Sequence, residues 1–222
     1  MKALLCVLLI SLGGLGCARI YRPVEMTPAR MGAPVYGLAG SIEPQPWGDN
    51  SGYEGKAVGA GLRVMVLNLQ NHTDAEVELL RLDLPAQVTN LTPAQALKRV
   101  KQQPLLFLLY PVLPGLMIPG SSNTGSFGPS PRALAIATTV VLGIGIGVPN
   151  AVVAAHSNSK IRAFFENHAW SPGPLKSGQA HRGLVFLACP DLSTPQTVGV
   201  VYRNANGEHR LELVCPGLSP LL

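Results

Sequence analysis

Hydrophobic and polar positions in the middle of this chain follow the short period of β-strands. Residues 63–69 form an almost continuous apolar run, and residues 76–79 alternate between polar and apolar side chains. Between them, residues 71–74 read Asn-His-Thr-Asp, which is the composition of a turn. An apolar run, a turn and an alternating run in this order predict a β-hairpin whose second strand faces water on one side.

Three further apolar runs near the C-terminus predict three more strands. They occupy residues 183–189, 197–202 and 210–215. The sequence Asn-Ala-Asn-Gly at residues 204–207 supplies a turn between the last two. If the three strands form a meander, the first and third run in the same direction, and Cys189 and Cys215 lie at the same end. That arrangement permits a disulfide bond between them.

Between these strand patterns, the sequence has the features of helices. Thr92 can cap a helix that Pro93 begins, and Gln95 stands where a capping box requires it, so a short helix is predicted here. A hydrophobic helical insert is predicted from about residue 104 to about residue 165. Within it, residues 133–155 contain no charged side chain, and this stretch is long enough to cross a bilayer.

Glycines mark the centre of the insert. Gly143, Gly145 and Gly147 follow one another at alternate positions, and Gly143 and Gly147 have the small-xxx-small spacing that lets helices approach closely. Pro149 is expected to interrupt the stretch. Three interpretations stay open: a transmembrane helix, a buried or interfacial helical hairpin packed on the strands, and an element of self-association. The three glycines are therefore candidates for helix packing or membrane contact.

The N-terminal residues have the pattern of a secretory signal peptide. Lys2 precedes an apolar run at residues 3–10, small residues follow, and Cys17 comes directly after Gly16. This arrangement resembles the signal of bacterial lipoproteins, in which the cysteine after the cleavage site receives the lipid. Gly16 and Cys17 match that signal, whereas Gly14 stands where a leucine is usual. The resemblance covers the signal and the first few residues after it.

The resemblance implies a signal peptide at residues 1–16 and acyl chains, palmitate among them, on Cys17. Such chains would hold the protein at the bacterial cell envelope, with membrane lipid as its partner. Arg19, two positions after the cysteine, resembles the default for outer-membrane lipoproteins of Gram-negative bacteria. Residues 17–60 are rich in proline and glycine without a sustained period, so we expect a lipidated tether there.

Composition and cysteine usage argue against several further classes of function. Charged residues make up 13% of the chain and hydrophobic ones 47%, and the formal net charge of +5 is dispersed without an aromatic platform. A nucleic-acid partner is therefore not expected. Cys6 lies in the signal and Cys17 is the lipidation candidate, which leaves Cys189 and Cys215 for a disulfide in an oxidising compartment. Histidines and cysteines lack metal-ligand spacing, so neither a metal nor another cofactor is expected.

The late strands resemble those of immunoglobulin-like domains in bacterial secreted lipoproteins. The resemblance rests on Lys-Ser-Gly-Gln at residues 176–179 followed by an apolar strand at residues 182–186. It covers about residues 60–85 and 170–215. It implies a mainly β fold, an immunoglobulin-like antiparallel sandwich, over residues 61–222, and the hydrophobic, glycine-rich helical insert departs from that pattern.

One pair of motifs resembles a catalytic constellation. Ser157 and Lys160 match the Ser-x-x-Lys of penicillin-binding enzymes, and residues 176–178 are close to their Lys-Thr-Gly. The two elements follow each other too closely, however, and no Ser-Asp-Asn lies between them. We therefore predict a non-catalytic structural or binding module, whose insert contacts lipid, a second copy or another envelope protein. A hydrolase or inhibitor acting on envelope polymers and an assembly factor of an envelope complex are the alternatives.

Overall fold

The computed structural model divides the chain into two compact units. It describes residues 17–26, 31–109, 131–189 and 193–217. The first unit, here called the helical unit, comprises Met1–Tyr21 and Gln102–Ser159. The second, here called the β unit, comprises Arg22–Lys101 and Lys160–Leu222. The predicted signal peptide at residues 1–16 lies outside the described residues.

The strands of the β unit form two four-stranded antiparallel sheets. Sheet A has the order β1 (Leu38–Pro44), β2 (Leu62–Asn71), β6 (Ala180–Ala188) and β4 (Thr89–Asn90). Sheet B has the order β5 (Gly173–Leu175), β3 (Val77–Asp83), β7 (Gln196–Asn204) and β8 (Gly207–Cys215). The prediction of a mainly β, antiparallel fold is confirmed.

Both sheets bury side chains in one hydrophobic core. Met65 and Leu67 of β2 contribute from sheet A, and Val198, Val200 and Tyr202 of β7 contribute from sheet B. Their spacing of two along each strand places them on one face, as the pleat of a strand requires. The core therefore lies between the two sheets and holds them together mainly by removing apolar surface from water.

The outer face of sheet A is also covered. Val64 and Val66 of β2 are buried, although they point away from the core that Met65 lines. Phe165 packs against Phe186 of β6 with 4.7 Å between ring centroids. Burial on both faces explains why β2 reads as a continuous apolar run and not as an alternating one.

Four helices complete the described structure. They are α1 (Ser51–Gly59), α2 (Pro93–Val100), α3 (Pro104–Leu109) and α4 (Pro131–His168). The predicted capping box of α2 is confirmed: the Gln95 N–H donates to Thr92 Oγ1 at 3.3 Å, and the Thr92 N–H donates to Gln95 Oε1 at 2.9 Å. Across the part of the chain that the structure describes, no helix combines the length and apolar content that a membrane span needs.

The predicted hairpin of residues 63–69 and 76–79 is wrong. β2 pairs with β1 and β6, whereas β3 pairs with β5 and β7, so the chain passes from sheet A to sheet B at the turn. Buried Asn71 stabilises this turn, which is the corner between β2 and β3. Its Nδ2 donates to the carbonyls of Ala75 at 2.7 Å and Leu175 at 2.9 Å, and its Oδ1 accepts from the N–H of Thr73 at 2.9 Å.

The predicted C-terminal meander is correct only for its last two strands. β7 and β8 form a hairpin in which Asn204 is opposite Gly207, at the turn expected from the sequence. β6, in contrast, belongs to sheet A and pairs with β2 and β4. The reason is that both faces of β6 are apolar, which suits the position between β2 and the edge of a covered sheet.

Residues 17–60 differ from the expected tether. They contain β1 and α1, and β1 pairs with β2 along its whole length, from Leu38 opposite Asn71 to Pro44 opposite Met65. Leu38 lies in the shared core. The glycines of this region therefore belong to folded structure; a Cβ at Gly40, for example, would lie 2.9 Å from the side chain of Leu211.

The described parts of the predicted insert, residues 104–109 and 131–165, are helical, whereas residues 110–130 lie outside the described residues. Pro149 does not end its helix. Pro149 lies inside α4, which continues to His168. Gly147 and Ala154, on either side of Pro149 in the sequence, are both buried.

Candidate functional site

The segment after Cys17 lies along α4 in the helical unit. The Ala18 N–H donates to Asn150 Oδ1 at 3.1 Å, and the Tyr21 N–H donates to Ser157 Oγ at 3.1 Å. Three residues of extended chain span about 10 Å, and seven residues of helix rise by about 10 Å. The two lengths agree, so the segment runs alongside the helix with exposed Cys17 at the Asn150 end.

Gln102 holds the middle of this segment by a two-point contact. Its Oε1 accepts from the Arg19 N–H at 2.9 Å, and its Nε2 donates to the Arg19 carbonyl at 2.6 Å. Asn158 in turn holds the Gln102 backbone: its Oδ1 accepts from the Gln102 N–H at 2.9 Å, and its Nδ2 donates to the Gln102 carbonyl at 2.8 Å. We call Gln102, Asn150, Ser157 and Asn158 the polar cradle.

The buried face of α4 explains why the polar cradle is made of side chains that can form hydrogen bonds. Asn150, Ala154 and Ser157 follow one another at helical spacing, so they share one face of the helix. Ala154 and Ser157 are buried, and Asn150 is half-buried. Polar groups on a buried face need partners, and the backbone of residues 18–21 supplies them. The cradle thus fixes the backbone next to Cys17 whatever the side chains of those residues are.

The three glycines of the insert have different surroundings. A Cβ at Gly147 would lie 2.5 Å from the Phe107 carbonyl oxygen, so the backbone of α3 contacts α4 at this point. A Cβ at Gly145 would have no atom within 4 Å. Gly143 lies in α4, outside the residues whose surroundings the structure describes. Gly147 is therefore the position where a close helix contact requires glycine.

Alanine substitutions at these two glycines are expected to have opposite effects. Gly147→Ala should lower the free energy of unfolding by about 1–3 kcal/mol, since the methyl group meets backbone that cannot rotate away. Gly145→Ala should raise it by about 0.5–1 kcal/mol, because alanine stabilises an open helical position. Urea denaturation followed by far-ultraviolet circular dichroism measures both. Equal shifts in the same direction would contradict the contact between α3 and α4.

The serine and lysine of the enzyme-like motif have different environments. Ser157 is only 1% exposed, and its hydroxyl accepts the hydrogen bond of the Tyr21 N–H. Lys160 is exposed and belongs to the β unit. Ser157 therefore serves in the polar cradle, and a substrate has no access to its Oγ in this structure.

Cys189 and Cys215 lie in the shared core of the β unit, and both are free thiols in the structure. Burial raises the pKa of each thiol, and the positive charge of Arg63 lowers it in part. Cys215 also raises the pKa of Cys189, as a smaller contribution than burial. Arg63 Nη1 lies 3.6 Å from Cys215 Sγ. The structure thus places both predicted residues in the same core, without a bond between them.

The polar cradle was not among the sites predicted from the sequence. Asn150 interrupts the apolar stretch, whereas Ser157 and Asn158 belong to the polar run at residues 156–160. The spacing of seven residues between Asn150 and Ser157, which is about two helical turns, is the signal that could have placed them on one face. Among residues 17–26, 31–109, 131–189 and 193–217, no group of three His, Cys, Asp or Glu side chains could hold a metal ion.

Comparisons with known proteins found no counterpart for this arrangement. No family model matches the sequence, and neither a curated protein nor a solved structure matches the chain.

Proposed function

We propose that this protein is a bacterial envelope lipoprotein, anchored by acyl chains on Cys17, with a non-catalytic structural or binding role. In a Gram-negative cell, the proposed location is the outer membrane. The acyl anchor makes membrane lipid its first partner, and the β unit is free to bind another envelope protein or a second copy.

The observation that carries this proposal is that the backbone of the residues after Cys17 is hydrogen-bonded to the polar cradle. Ala18 donates to Asn150, and Arg19 is bonded at two points by Gln102. Cys17 itself is exposed, as a residue that receives lipid must be. The polar cradle therefore sets the starting point of the acyl chains on the helical unit, which a free tether would not do.

The β unit supports the binding role and the finer description of the fold. We propose that its two antiparallel sheets form an immunoglobulin-like sandwich, because they share one core and because consecutive strands β2 and β3 belong to different sheets. A non-catalytic role is favoured since the candidate nucleophile Ser157 is buried and already hydrogen-bonded, whereas a nucleophile must reach its substrate.

Replacing the acceptor cysteine tests the anchor. Cys17→Ser should abolish incorporation of a labelled fatty acid and leave an unprocessed precursor, because serine offers no thiol for the thioether bond. Mass spectrometry of the wild-type protein should find a mature N-terminus at Cys17 that carries added lipid mass. Cell fractionation and the labelling experiment together measure the loss.

Cys6 provides the matched control, since it is a second cysteine within the predicted signal. Cys6→Ser should be labelled and processed like the wild type. Unchanged acyl labelling of Cys17→Ser, or a wild-type N-terminus at another residue, would show that the protein is not a lipoprotein of this kind.

A further inference from the structure

The helical unit exposes several large apolar side chains. They occur on both helices that the structure describes in this unit, and Leu105 and Val152 are 74% and 63% exposed. The full set is Leu105, Leu106 and Leu108 on α3, and Ile146, Val148 and Val152 on α4. We call these six residues the apolar face. Apolar side chains grouped on one small unit mark a surface that contacts a partner.

The apolar face occupies one end of the described part of α4. Val148 and Val152 are four residues apart, so they lie on the same side of the helix, opposite half-buried Asn150 and buried Ser157. Further along this outward side, the exposed residues become polar at His156 and Ser159. Ile146, two residues before Val148, lies on another side of α4.

The polar cradle places Cys17 at the apolar end. Ala18 is bonded to Asn150, which lies at the same level along α4 as Val148 and Val152 but on the opposite side of the helix. Acyl chains on Cys17 would therefore begin at the level of the exposed valines, across a helix about 10 Å wide, which is less than the roughly 15 Å of hydrocarbon in one leaflet.

Charge also distinguishes the helical unit. The chain has 12 Asp and Glu residues, and all of them belong to the β unit. The helical unit has Lys2 in the predicted signal peptide, and Arg19 and Arg132 after it, but no carboxylate side chain. Anionic lipid headgroups repel carboxylates and attract arginine, so the charge of this unit suits a phospholipid surface.

We propose that the apolar face lies in the headgroup and upper acyl region of a phospholipid bilayer, as a second, non-covalent contact beside the lipid on Cys17. This inference rests on the proposed function, because the acyl chains bring the face to the bilayer. Amphipathic helices enter an interface by about 5–10 Å. Contact at both the acyl chains and the apolar face would hold the helical unit in one orientation on the membrane.

Depth-dependent quenching tests this contact on the acylated, full-length mature protein. Val152→Cys and Leu105→Cys carry an environment-sensitive fluorophore, and Ser159→Cys serves as the control on the same side of α4, about 10 Å further along the helix. The protein is reconstituted in vesicles of phosphatidylethanolamine and phosphatidylglycerol with lipids doxyl-labelled near the headgroup. Wild-type protein controls for labelling of the buried thiols.

We expect quenching at positions 152 and 105 to exceed quenching at position 159 by about two-fold or more, given the shallow depth of interfacial helices. Equal quenching at all three positions, or none, would overturn the inference. Protection of positions 152 and 105 from aqueous iodide without doxyl quenching would assign the face to a second copy or another protein, and would also overturn it. Mass spectrometry of the same sample shows whether Cys17 carries lipid, so failure of the anchor is recognised separately.

Discussion

Replacing Arg63 with alanine is expected to lower the free energy of unfolding by about 2–4 kcal/mol. Arg63 has no exposed surface, although it carries a charge. Its Nη1 donates to the Pro216 carbonyl at 3.1 Å, and its Nη2 donates to the Thr194 carbonyl at 3.0 Å. Truncation removes these donors from partly buried carbonyls and opens a cavity, and each of these changes is costly. Urea denaturation measures the loss.

Two further variants separate this effect from the loss of a charge. Arg81→Ala removes an arginine whose ion pair with Glu208 is exposed, and such pairs contribute about 0–1 kcal/mol. Arg63→Lys keeps the charge but replaces the planar fork by one ammonium group, which cannot reach both carbonyls in the same geometry. We therefore expect Arg63→Lys to lie between the wild type and Arg63→Ala. A loss at Arg63→Ala no greater than that at Arg81→Ala would contradict the structural role of the guanidinium.

Elements whose signals are local could be predicted from the sequence. The capping box of α2 needs only Thr92 and Gln95, three residues apart, and the β7–β8 hairpin needs only the turn before Gly207. In both cases the residues that decide the conformation are neighbours in the chain. The prediction therefore required no knowledge of tertiary contacts.

The corner between β2 and β3 could not be predicted in this way. Residues 71–74 have turn composition whether the chain reverses within one sheet or crosses to another. The chain crosses to the other sheet because Asn71 Nδ2 donates a hydrogen bond to the carbonyl of Leu175. A contact over more than a hundred positions leaves no periodic signal near Asn71, so the local pattern favoured the simpler hairpin.

The partner of the polar cradle was unpredictable for a related reason. In the sequence, Asn150 is visible as a polar residue inside an apolar stretch, and Ser157 and Asn158 as part of the polar run at residues 156–160. The atoms that they and Gln102 bind, however, are backbone atoms: the N–H groups of Ala18, Arg19 and Tyr21, and the carbonyl of Arg19 among them. Backbone groups are the same in every residue except proline. No side-chain pattern in residues 18–21 could therefore have indicated where this segment lies.

A disulfide bond between Cys189 and Cys215 is expected in protein isolated from an oxidising envelope. Both thiols lie in the core that the two sheets share, and each is close enough to Arg63 to feel its charge. Burial raises the pKa of both, so thiolate is scarce in the folded protein at neutral pH, and we expect the bond to form during folding. Two protons and two electrons then pass to the thiol oxidant of the compartment.

Reduction of this bond should lower the free energy of unfolding by about 3–4 kcal/mol, which is typical of a loop of this length. The measurement compares urea denaturation with and without dithiothreitol. A variant with both Cys189→Ala and Cys215→Ala is the control, and its stability should not respond to the reductant. Thiol titration of unreduced, denatured wild-type protein gives an independent count. In the proposed lipoprotein, acylation blocks the sulfur of Cys17. Two titratable thiols in that protein would mean that Cys189 and Cys215 remain free, whereas none would mean that they are joined across the two sheets.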